Sequence, residues 1–478
     1  MRRTVPLLIA GAVALAATFA GASQAATSAA GTLGTYASYA VGYNSGEPSI
    51  GYDPVADAAV FTANTKSVRM VWDAKNRLTT TLVTAPSAKL SLDPIGFTDQ
   101  VTHRSFSSQL TGVCSLLDYS DDAGATWHPS SGCGPATFVD HQTVGGGPYR
   151  AENKPATAGK TGYPNAVYYC AQNSYSGVCA RSDDGGITFP FSSAAYNAPG
   201  VTSSAPDGGG CSAIHGHLRV APNGVVALPI KGCGGVPTAG NLTNSEFFGG
   251  SPAVSFSEDN GTTWTVRQVP GGLNPDESDP SIAFDKKSTG FFGWEDGSNP
   301  SESVNGTTSA AKISITSDSG RTWTKPVDVS TPLGLRNVQF PEVIAGDAGR
   351  AAFSFIGTKG VGDDQHNGFV GEWHLYVSTT IDGGKTWKTV DTTPKDAVQR
   401  GCISLQGTSN NTVADANLCK QRNLLDFNDI TVDKAGRVLV AYSDGCVGDC
   451  VTNKASGSKG AISMVMRQLT GPLLYAKK

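Results

Sequence analysis

Acidic residues and histidines recur in front of short apolar stretches along this chain of 478 residues. EPSIGYDP, SDPSIAFDKK, FPEVIAGDAGR and FNDITVDKAGR each place a polar or acidic residue before an apolar segment that ends in a turn. Weaker versions begin near Asp99, at DHQTVGGGP and at HGHLRVAPNG, and they contain three of the seven histidines. Carboxyl groups packed together raise one another's pKa, which suits paired acid and base groups for glycosidic cleavage.

These positions supply the predicted site residues. The predicted catalytic set is Glu47, Asp279, Glu342, Asp429 and His217. The predicted substrate-binding set is Asp99, Asp140, His141, His215, Arg336 and Arg422. The alternative is a structural role, because an acid before a strand can also cap a turn or hydrogen-bond to a neighbouring sheet. The same side chains could hold a cation, although the prediction includes no metal and no other cofactor.

Arginines matter separately, because a guanidinium grips the carboxylate of an acidic glycan through two hydrogen bonds. Besides Arg336 and Arg422, the candidates are Arg150 and Arg219. Each of the four could instead form a salt bridge on the rim of the fold.

A second repeat indicates the elements that position these residues. YSDDAGATW, RSDDGGITF, SEDNGTTW, ITSDSGRTW and TTIDGGKTW share the pattern S/T-x-D-x-G-x-T-W/F. Their aspartates are Asp122, Asp184, Asp259, Asp318 and Asp382, separated by 62, 75, 59 and 64 residues. A calcium loop would need Glu at its twelfth position, which is Gln268 when counted from the first residue of SEDNGTTW, Ser257. We therefore predict structural turns, in which Asp accepts backbone N–H groups and Gly adopts a positive φ.

The two repeats together predict an all-β fold. The first repeat begins seven times, at Glu47, Asp99, Asp140, His215, Asp279, Glu342 and Asp429. The 58 glycines, 26 prolines and 16% charged residues agree with many short strands and turns. We predict a single β-propeller of seven four-stranded blades, closed by pairing of its N- and C-terminal strands. Six blades is the alternative, if the first and last units merge.

The chain ends differ in composition from the repeats. MRRTVPLLIAGAVALAATFAGASQA has the charged start, apolar run and small residues of a signal peptide, predicted as residues 1–25. The predicted order continues with a flexible leader at 26–40, the propeller at 41–470 and a tail at 471–478. The inserts Gly235–Ser251 and Gly297–Thr308 are predicted as rim loops. A secreted, extracellular protein follows.

Ten cysteines in an exported chain favour disulfides that staple loops. The predicted pairs are Cys114–Cys133, Cys170–Cys179, Cys211–Cys233, Cys402–Cys419 and Cys446–Cys450. Zinc is the less favoured alternative, because the sequence has no C-x-x-C pair.

The net charge of −4 and the pI of about 6.0 give no basic face for nucleic acid or anionic lipid. The predicted partner is therefore a glycan or glycoconjugate, with no nucleic acid and no membrane, and the chain is expected to be a monomer.

The five-fold motif and its spacing resemble the Asp-box, or BNR, repeat of sialidase-like β-propellers, including secreted bacterial proteins labelled exo-α-sialidase. The resemblance extends from about Tyr43 to Leu469. It implies a sialidase-like glycoside hydrolase with a funnel lined by carboxylates and histidines. The F/Y-R-I/L-P motif of sialidases is absent, so no sialidase catalytic residue is assigned. The alternative is a non-catalytic glycan- or protein-binding propeller that uses Tyr149, Phe247, Phe248 and Trp373 as contacts.

Overall fold

The structure is a computed structural model that describes part of the chain. The described residues are 33–91, 93–111, 115–133, 140–172, 176–197, 210–211, 214–234, 250–272, 278–297, 308–405, 419, 421–453 and 460–476. The predicted signal peptide, Cys114, Phe247 and Phe248 lie outside these ranges. Within them, no helix has the length and apolar character needed to cross a membrane.

The described residues form strands with almost no helix. The strands are β1 (Thr35–Ala40), β2 (Ser49–Asp53), β3 (Ala58–Ala63), β4 (Lys66–Trp72), β5 (Leu78–Leu82), β6 (Pro94–Thr98), β7 (Ser105–Leu110), β8 (Ser115–Ser120), β9 (His128–Cys133), β10 (Asp140–Gly147), β11 (Ala166–Gln172), β12 (Ser176–Ser182), β13 (Phe191–Asn197), β14 (Arg219–Val220), β15 (Val226–Gly234), β16 (Gly250–Ser257), β17 (Thr265–Gln268), β18 (Ser281–Phe284), β19 (Gly290–Gly297), β20 (Ser309–Thr316), β21 (Val327–Asp328), β22 (Asn337–Ala345), β23 (Ala351–Thr358), β24 (Glu372–Thr380), β25 (Lys388–Asp391), β26 (Gln399–Arg400), β27 (Asp429–Val432), β28 (Val438–Asp444) and β29 (Ile462–Thr470). The helical turns are Ala151–Asn153, Thr331–Leu333 and Asp449–Thr452.

Seven antiparallel sheets make up seven blades, which confirms the predicted β-propeller and rules out six blades. Blades 1 to 6 begin with β2, β6, β10, β14, β18 and β22, and each contains four consecutive strands. In blade 6, β26 also pairs with β24. Blade 7 has the order β1-β29-β28-β27, so the N-terminal strand completes a sheet made from the C-terminus. This pairing closes the ring, as predicted, and leaves no free edge between the two chain ends.

The closing strand corrects one boundary of the sequence analysis. Residues 35–40 were expected to belong to a flexible leader, but they form β1 and pair with β29 over the register Tyr39↔Val465. Tyr39 packs edge-on against Trp72 of blade 1, with ring centroids 6.0 Å apart. Alternating small and aromatic residues suit the outer strand of a blade, so the propeller begins before residue 41.

The first strand of each blade lies against the first strands of both neighbouring blades, so these seven strands surround a central axis. In four blades, a side-chain oxygen at the same position of the first strand accepts a hydrogen bond from a backbone N–H of the following blade. The pairs are Ser49 Oγ with Gly96 N at 2.9 Å, Thr143 Oγ1 with Leu218 N at 3.0 Å, Ser281 Oγ with Val343 N at 3.0 Å, and Asp429 Oδ2 with Ile50 N at 2.8 Å. These bonds fix how neighbouring blades align along the axis. We call this register position the stitch position.

The five Asp turns share one hydrogen-bond network. In SEDNGTTW, Asp259 Oδ1 accepts from Ser257 Oγ at 2.9 Å and from Thr263 N at 2.8 Å. Asp259 Oδ2 accepts from Thr263 Oγ1 at 2.6 Å, and Gly261, with φ 78°, donates its N–H to Ser257 Oγ. The same bonds occur around Asp122, Asp184, Asp318 and Asp382. Each turn joins the third and fourth strands of its blade.

The aromatic residue of each turn packs between blades. Trp264 of blade 4 donates from Nε1 to Ser193 Oγ of blade 3 at 2.9 Å. Trp323 of blade 5 lies 6.4 Å from the ring of Phe256 in blade 4. The repeat therefore ties each turn to the preceding blade.

The two ends of the ring differ. We call the end where the first strands begin the mouth, and the other end the base. Because strands alternate in direction, the turn after each first strand and the five Asp turns all lie at the base. Asp99 belongs to a base turn, where its Oδ1 accepts from Val101 N at 2.9 Å. It follows β6, so the mouth residue of blade 2 is Asp93 rather than Asp99.

The C-terminal segment crosses the base. Leu474 donates its N–H to Gly436 O in blade 7 at 2.8 Å, and its carbonyl accepts from Asp347 N in blade 6 at 2.9 Å. Tyr475 contacts Lys286 in blade 5, with Nζ 4.7 Å from the ring, and Gln100 in blade 2 at 3.3 Å. Leu474 is fully buried. The predicted tail therefore packs against the propeller over residues 471–476, while residues 477–478 lie outside the described part.

Four of the five predicted disulfides are present, namely Cys170–Cys179, Cys211–Cys233, Cys402–Cys419 and Cys446–Cys450. The fifth involves Cys114, outside the described residues. Cys170 and Cys179 are opposite each other on β11 and β12. Cys402–Cys419 instead ties together the long segment between β26 and β27, which carries Arg422 to the mouth.

Candidate functional site

Two layers of polar side chains line the axis. Two residues before the stitch position, blades 1 to 5 carry an acid or a histidine, and blades 6 and 7 carry Phe340 and Phe427. We call these five residues the mouth ring; they are Glu47, Asp93, His141, His215 and Asp279. A second set of side chains lies deeper along the axis, at the stitch position or two residues after it. We call this set the floor cluster; it consists of His217, Arg219, Glu342 and Asp429.

Mouth-ring side chains meet across the axis. His141 of blade 3 places Nδ1 3.5 Å from Asp279 Oδ2 of blade 5, although blade 4 separates them in the ring. Burial alone would lower the pKa of His141, but the charges of Asp279, Asp140 and Asp93 raise it well above its usual value. The neighbouring carboxyl groups therefore favour the charged form of the imidazole.

Glu47 is a buried acid with a raised pKa. The residue is 3% exposed. Burial raises its pKa well above the usual value, and the neighbouring carboxylates Asp93 and Asp426 raise it further. Arg422 opposes this effect only in part. A carboxyl group that is protonated at neutral pH can act as a proton donor.

Asp93 behaves similarly. Burial raises its pKa to about 7, Asp140, Asp426 and Asp279 add to the rise, and His141 opposes it. One oxygen, Oδ2, accepts from Gln142 N at 3.2 Å. Asp93 therefore changes protonation near neutral pH.

Arg422 and Asp426 form a forked ion pair at the mouth. Arg422 Nη1 and Nη2 each lie 2.5 Å from a different oxygen of Asp426. Arg422 Nη1 also donates to Leu405 O at 2.9 Å. This guanidinium is already engaged, which leaves little of it for a glycan carboxylate.

The other arginine candidates lie elsewhere or are paired as well. Arg150 pairs with Glu152 at 3.3 Å, and Arg219 pairs with Asp429 at 3.4 Å. Arg336 is exposed immediately before β22, on the mouth side.

Two mouth-ring residues have a backbone conformation that L-residues seldom adopt. Glu47 has φ 49° and His141 has φ 45°, and Phe340 at the same position of blade 6 has φ 59°. His141 and Phe340 lie where the pairing register shifts, which marks bulges in β10 and β22. Such positions cost on the order of 1 to 3 kcal/mol each. The bulges change which way the side chains project at the mouth.

The floor cluster joins blades 4, 6 and 7. His217 Nδ1 lies 3.5 Å from Glu342 Oε1 and 3.6 Å from Asp429 Oδ1. The Phe427 ring packs edge-on against the imidazole at 4.9 Å. The side chains of His217, Glu342 and Asp429 are at most 5% exposed. Because they come from different sides of the ring and touch, they close the axis beneath the mouth ring.

Hydrogen bonds orient both floor carboxyl groups. Ser281 Oγ donates to Glu342 Oε2 at 2.8 Å. Asp429 occupies the stitch position, where blades 1, 3 and 5 have Ser or Thr, and its Oδ2 accepts from Ser49 Oγ and Ile50 N. Burial raises the pKa of Glu342 to about 7. Burial would also raise that of Asp429, but His217 and Arg219 lower it overall.

The floor cluster also offers a donor set for a metal. One donor atom from each of His217, Glu342 and Asp429 lies within 4.8 Å of the others, and the described residues hold no other such group. One imidazole nitrogen and two carboxylate oxygens suit a divalent ion.

Several buried polar atoms along the axis have no hydrogen-bond partner. They are Glu47 Oε2, Asp93 Oδ1, His215 Nε2 and His217 Nδ1. Buried polar groups are nearly always paired, so these four atoms are available to a ligand, an ion or water. Burial lowers the pKa of His215 to about 4, so this imidazole is neutral.

The structure brings together most of the residues predicted from the sequence. Glu47, His141, His215 and Asp279 lie in the mouth ring, beside Asp140 and Arg422, and His217, Glu342 and Asp429 lie in the floor cluster. Asp99 lies at the base. The aromatic contacts predicted for a binding protein need correction, because Tyr149 is 9% exposed, bonded to Asp183, and Trp373 is fully buried.

Two mouth residues were missed. Asp93 precedes PIGF in LDPIGFTD, which parallels EPSIGYD and DPSIAFD, so the sequence contained a usable signal. Asp426 lies in the irregular segment before β27, and no repeat marks it. Its position depends on the fold of that segment.

No family model and no curated protein matches the chain. Among solved structures, virginiamycin B lyase from Staphylococcus aureus has 9% identity and a TM-score of 0.45 over 91% of this chain and 99% of that one. The Hadza microbial sialidase Hz136 has 14% identity and a TM-score of 0.41, over 86% and 73%. The Aleuria aurantia lectin has 9% identity and a TM-score of 0.41, over 72% and 94%. Similarity this low gives no information about the function of this chain.

Proposed function

We propose that this propeller is an exported glycoside hydrolase whose substrate enters the mouth. Glu47 is the proton donor and Asp279 is the carboxylate partner. The observation that carries the proposal is Glu47, a buried carboxyl group whose Oε2 has no hydrogen-bond partner and whose pKa is raised, among the ionisable groups at the mouth. Four disulfides fit an extracellular location.

The proposed chemistry needs an acid and a carboxylate. Glycosidic cleavage requires a proton on the leaving oxygen and a carboxylate that assists at the sugar carbon, either as nucleophile or through water. Glu47 supplies the proton. Asp279 supplies the carboxylate, oriented by the charged imidazole of His141 at 3.5 Å. Asp93 and Asp426 act through Glu47 by raising its pKa.

The substrate is a neutral or amino-containing glycan rather than an acidic one. The mouth carries five acids, of which Glu47 and Asp93 have raised pKa values, and three basic groups. The acids are Glu47, Asp93, Asp140, Asp279 and Asp426, and the basic groups are His141, Arg422 and the exposed Arg336. Arg422 is already paired with Asp426, so binding of a sialic acid carboxylate would have to compete with an existing ion pair. The absence of the F/Y-R-I/L-P motif of sialidases is consistent with a substrate that is not acidic.

Sugar release from a glycan panel tests the proposal. The purified chain is incubated separately with neutral, amino-containing and sialylated glycans. Wild type is compared with Glu47→Gln, Asp279→Asn and the control Glu152→Gln, which removes an exposed carboxylate from the turn Ala151–Asn153. We expect release by wild type and by the control, and a loss of roughly 100-fold or more in Glu47→Gln.

Two results would contradict the proposal. Full activity in Glu47→Gln would remove the proton donor from the mechanism. Glycan binding without release from any substrate would favour the non-catalytic alternative, a glycan-binding propeller.

A further inference from the structure

We propose that the floor cluster is a binding site for one divalent transition-metal ion, with Zn²⁺ as the best fit. The ligands are His217 Nδ1, Glu342 Oε1 and Asp429 Oδ1. This inference goes beyond the proposed hydrolase activity and does not depend on it, because the hydrolytic groups belong to the mouth ring.

The two separations from the imidazole nitrogen fit shared ligation better than direct hydrogen bonding, and the three donor atoms all lie within 4.8 Å of one another. A charged imidazole bonded to a carboxylate has an N···O distance of about 2.7 to 2.9 Å. His217 Nδ1 is instead 3.5 and 3.6 Å from the two carboxylate oxygens. Ligands bound to one ion at about 2.0 to 2.2 Å with roughly tetrahedral angles lie about 3.3 to 3.6 Å apart.

The imidazole supplies an independent indication. Nδ1 of His217 is buried and has no hydrogen-bond partner, yet it points between the two carboxyl groups. A nitrogen in that position can donate its lone pair to a metal. Leaving it without any partner would be costly.

Hydrogen bonds orient the two carboxyl groups in the way that is usual for metal ligands. Ser281 holds Glu342 Oε2, which leaves Oε1 towards the imidazole. Ser49 and Ile50 hold Asp429 Oδ2, while Oδ1 accepts from Ile430 N at 2.8 Å and lies on the side of the imidazole. Such outer hydrogen bonds fix ligand geometry and commonly contribute 10- to 100-fold to metal affinity.

A divalent ion can take the place of protons at this site. Two carboxyl groups face one guanidinium, Arg219, which is 3.4 Å from Asp429 Oδ1, and ligand groups lose their protons when a metal binds. The ion then compensates for the buried charge of the two carboxylates. The imidazole favours zinc or manganese over calcium, which prefers six to eight oxygen ligands.

Metal binding by the full chain tests the site without an activity assay. The purified protein is treated with EDTA, transferred to metal-free buffer and titrated separately with Zn²⁺, Mn²⁺ and Ca²⁺ by calorimetry. We expect one equivalent of Zn²⁺ and a higher melting temperature in its presence. Glu342→Gln should bind Zn²⁺ at least about 100-fold more weakly, whereas Asp279→Asn, which changes a mouth-ring carboxylate, should bind it like wild type.

A second measurement guards against misfolded variants. Co²⁺ bound to wild type should give a visible absorption spectrum, and His217→Gln should lose it while keeping a native circular dichroism spectrum. The proposal is overturned if wild type binds neither Zn²⁺ nor Mn²⁺ stoichiometrically, or if Glu342→Gln binds Zn²⁺ as tightly as wild type. None of these outcomes changes the result expected from the glycan panel with Glu47→Gln.

Discussion

At the scale of single residues, the mouth concentrates acids that share a small volume. Asp93 raises the pKa of Glu47, and Asp426 raises the pKa of both. The raised pKa of Glu47 is the feature on which the proposed chemistry depends. Two measurable consequences follow, one for stability and one for activity.

Asp93→Asn should make the stability of the folded protein less sensitive to rising pH. The folded pKa of Asp93, about 7, exceeds its usual value of 3.8, so the folded state holds this proton more tightly than the unfolded state. This contribution to stability is complete below pH 4 and is lost as pH rises through 7. Between pH 5 and pH 8, the free energy of unfolding of wild type should fall by on the order of 2 kcal/mol more than that of the variant. Urea unfolding at both pH values measures the difference, and equal losses would contradict the assignment.

The pH profile of hydrolysis should reflect the raised pKa of Glu47. The proposed reaction needs Glu47 in its protonated form, so kcat/KM should fall only at a pH well above 4.5, the ordinary value for this group. Rates on the best glycan, measured from pH 4 to pH 9, give the profile. A decline complete by pH 5 would show that the acid has an ordinary pKa.

At the scale of elements, the sequence predicts the local structure well. The Asp turns and the inner strands use hydrogen-bonding residues at fixed, short offsets, so repetition reveals them. Asp99 shows the limit, because it resembles both a strand-start acid and the base-turn acids Asp53, Asp285 and Asp433. The approach of His217 to Glu342 and Asp429 joins three blades across the axis, and no local pattern encodes it.

Asp259→Ala should weaken the fold and spare the function. The change removes side-chain acceptors for Ser257, Thr262 and Thr263, and it should lower the free energy of unfolding by about 1 to 3 kcal/mol. Thermal unfolding measures the loss. Because this turn lies at the base, the folded fraction should release sugar at the wild-type rate. A folded but inactive variant would contradict the separation of the base turns from the site.

At the scale of the whole molecule, both chain ends complete the ring. β1 forms the outer strand of blade 7, and the C-terminal segment crosses the base. The sequence predicted closure by pairing of the terminal strands, but it did not predict the C-terminal crossing, since GPLLYAKK has no repeat or strand pattern. The floor cluster and this segment both cover the axis below the mouth, so the mouth is the proposed entrance for a substrate.

Removal of residues 473–478 should destabilise the propeller. The truncation takes away Leu474, which is fully buried, together with its backbone bonds to Gly436 and Asp347. Loss of one buried leucine side chain corresponds to about 2 kcal/mol. The melting temperature should fall, while sugar release at 25 °C by the folded protein stays unchanged. An unchanged melting temperature would show that the segment is not held at the base.

The central claim is that a protonated Glu47 at the mouth performs glycosidic cleavage. The most direct measurement follows glycan binding and sugar release in parallel for wild type and Glu47→Gln, on the same neutral or amino-containing glycan. Glu47→Gln keeps the size of the side chain but has no acidic proton to give. We expect glycan binding to stay within a few-fold of wild type and sugar release to fall by roughly 100-fold or more. Release at the wild-type rate by Glu47→Gln would show that Glu47 is not the proton donor.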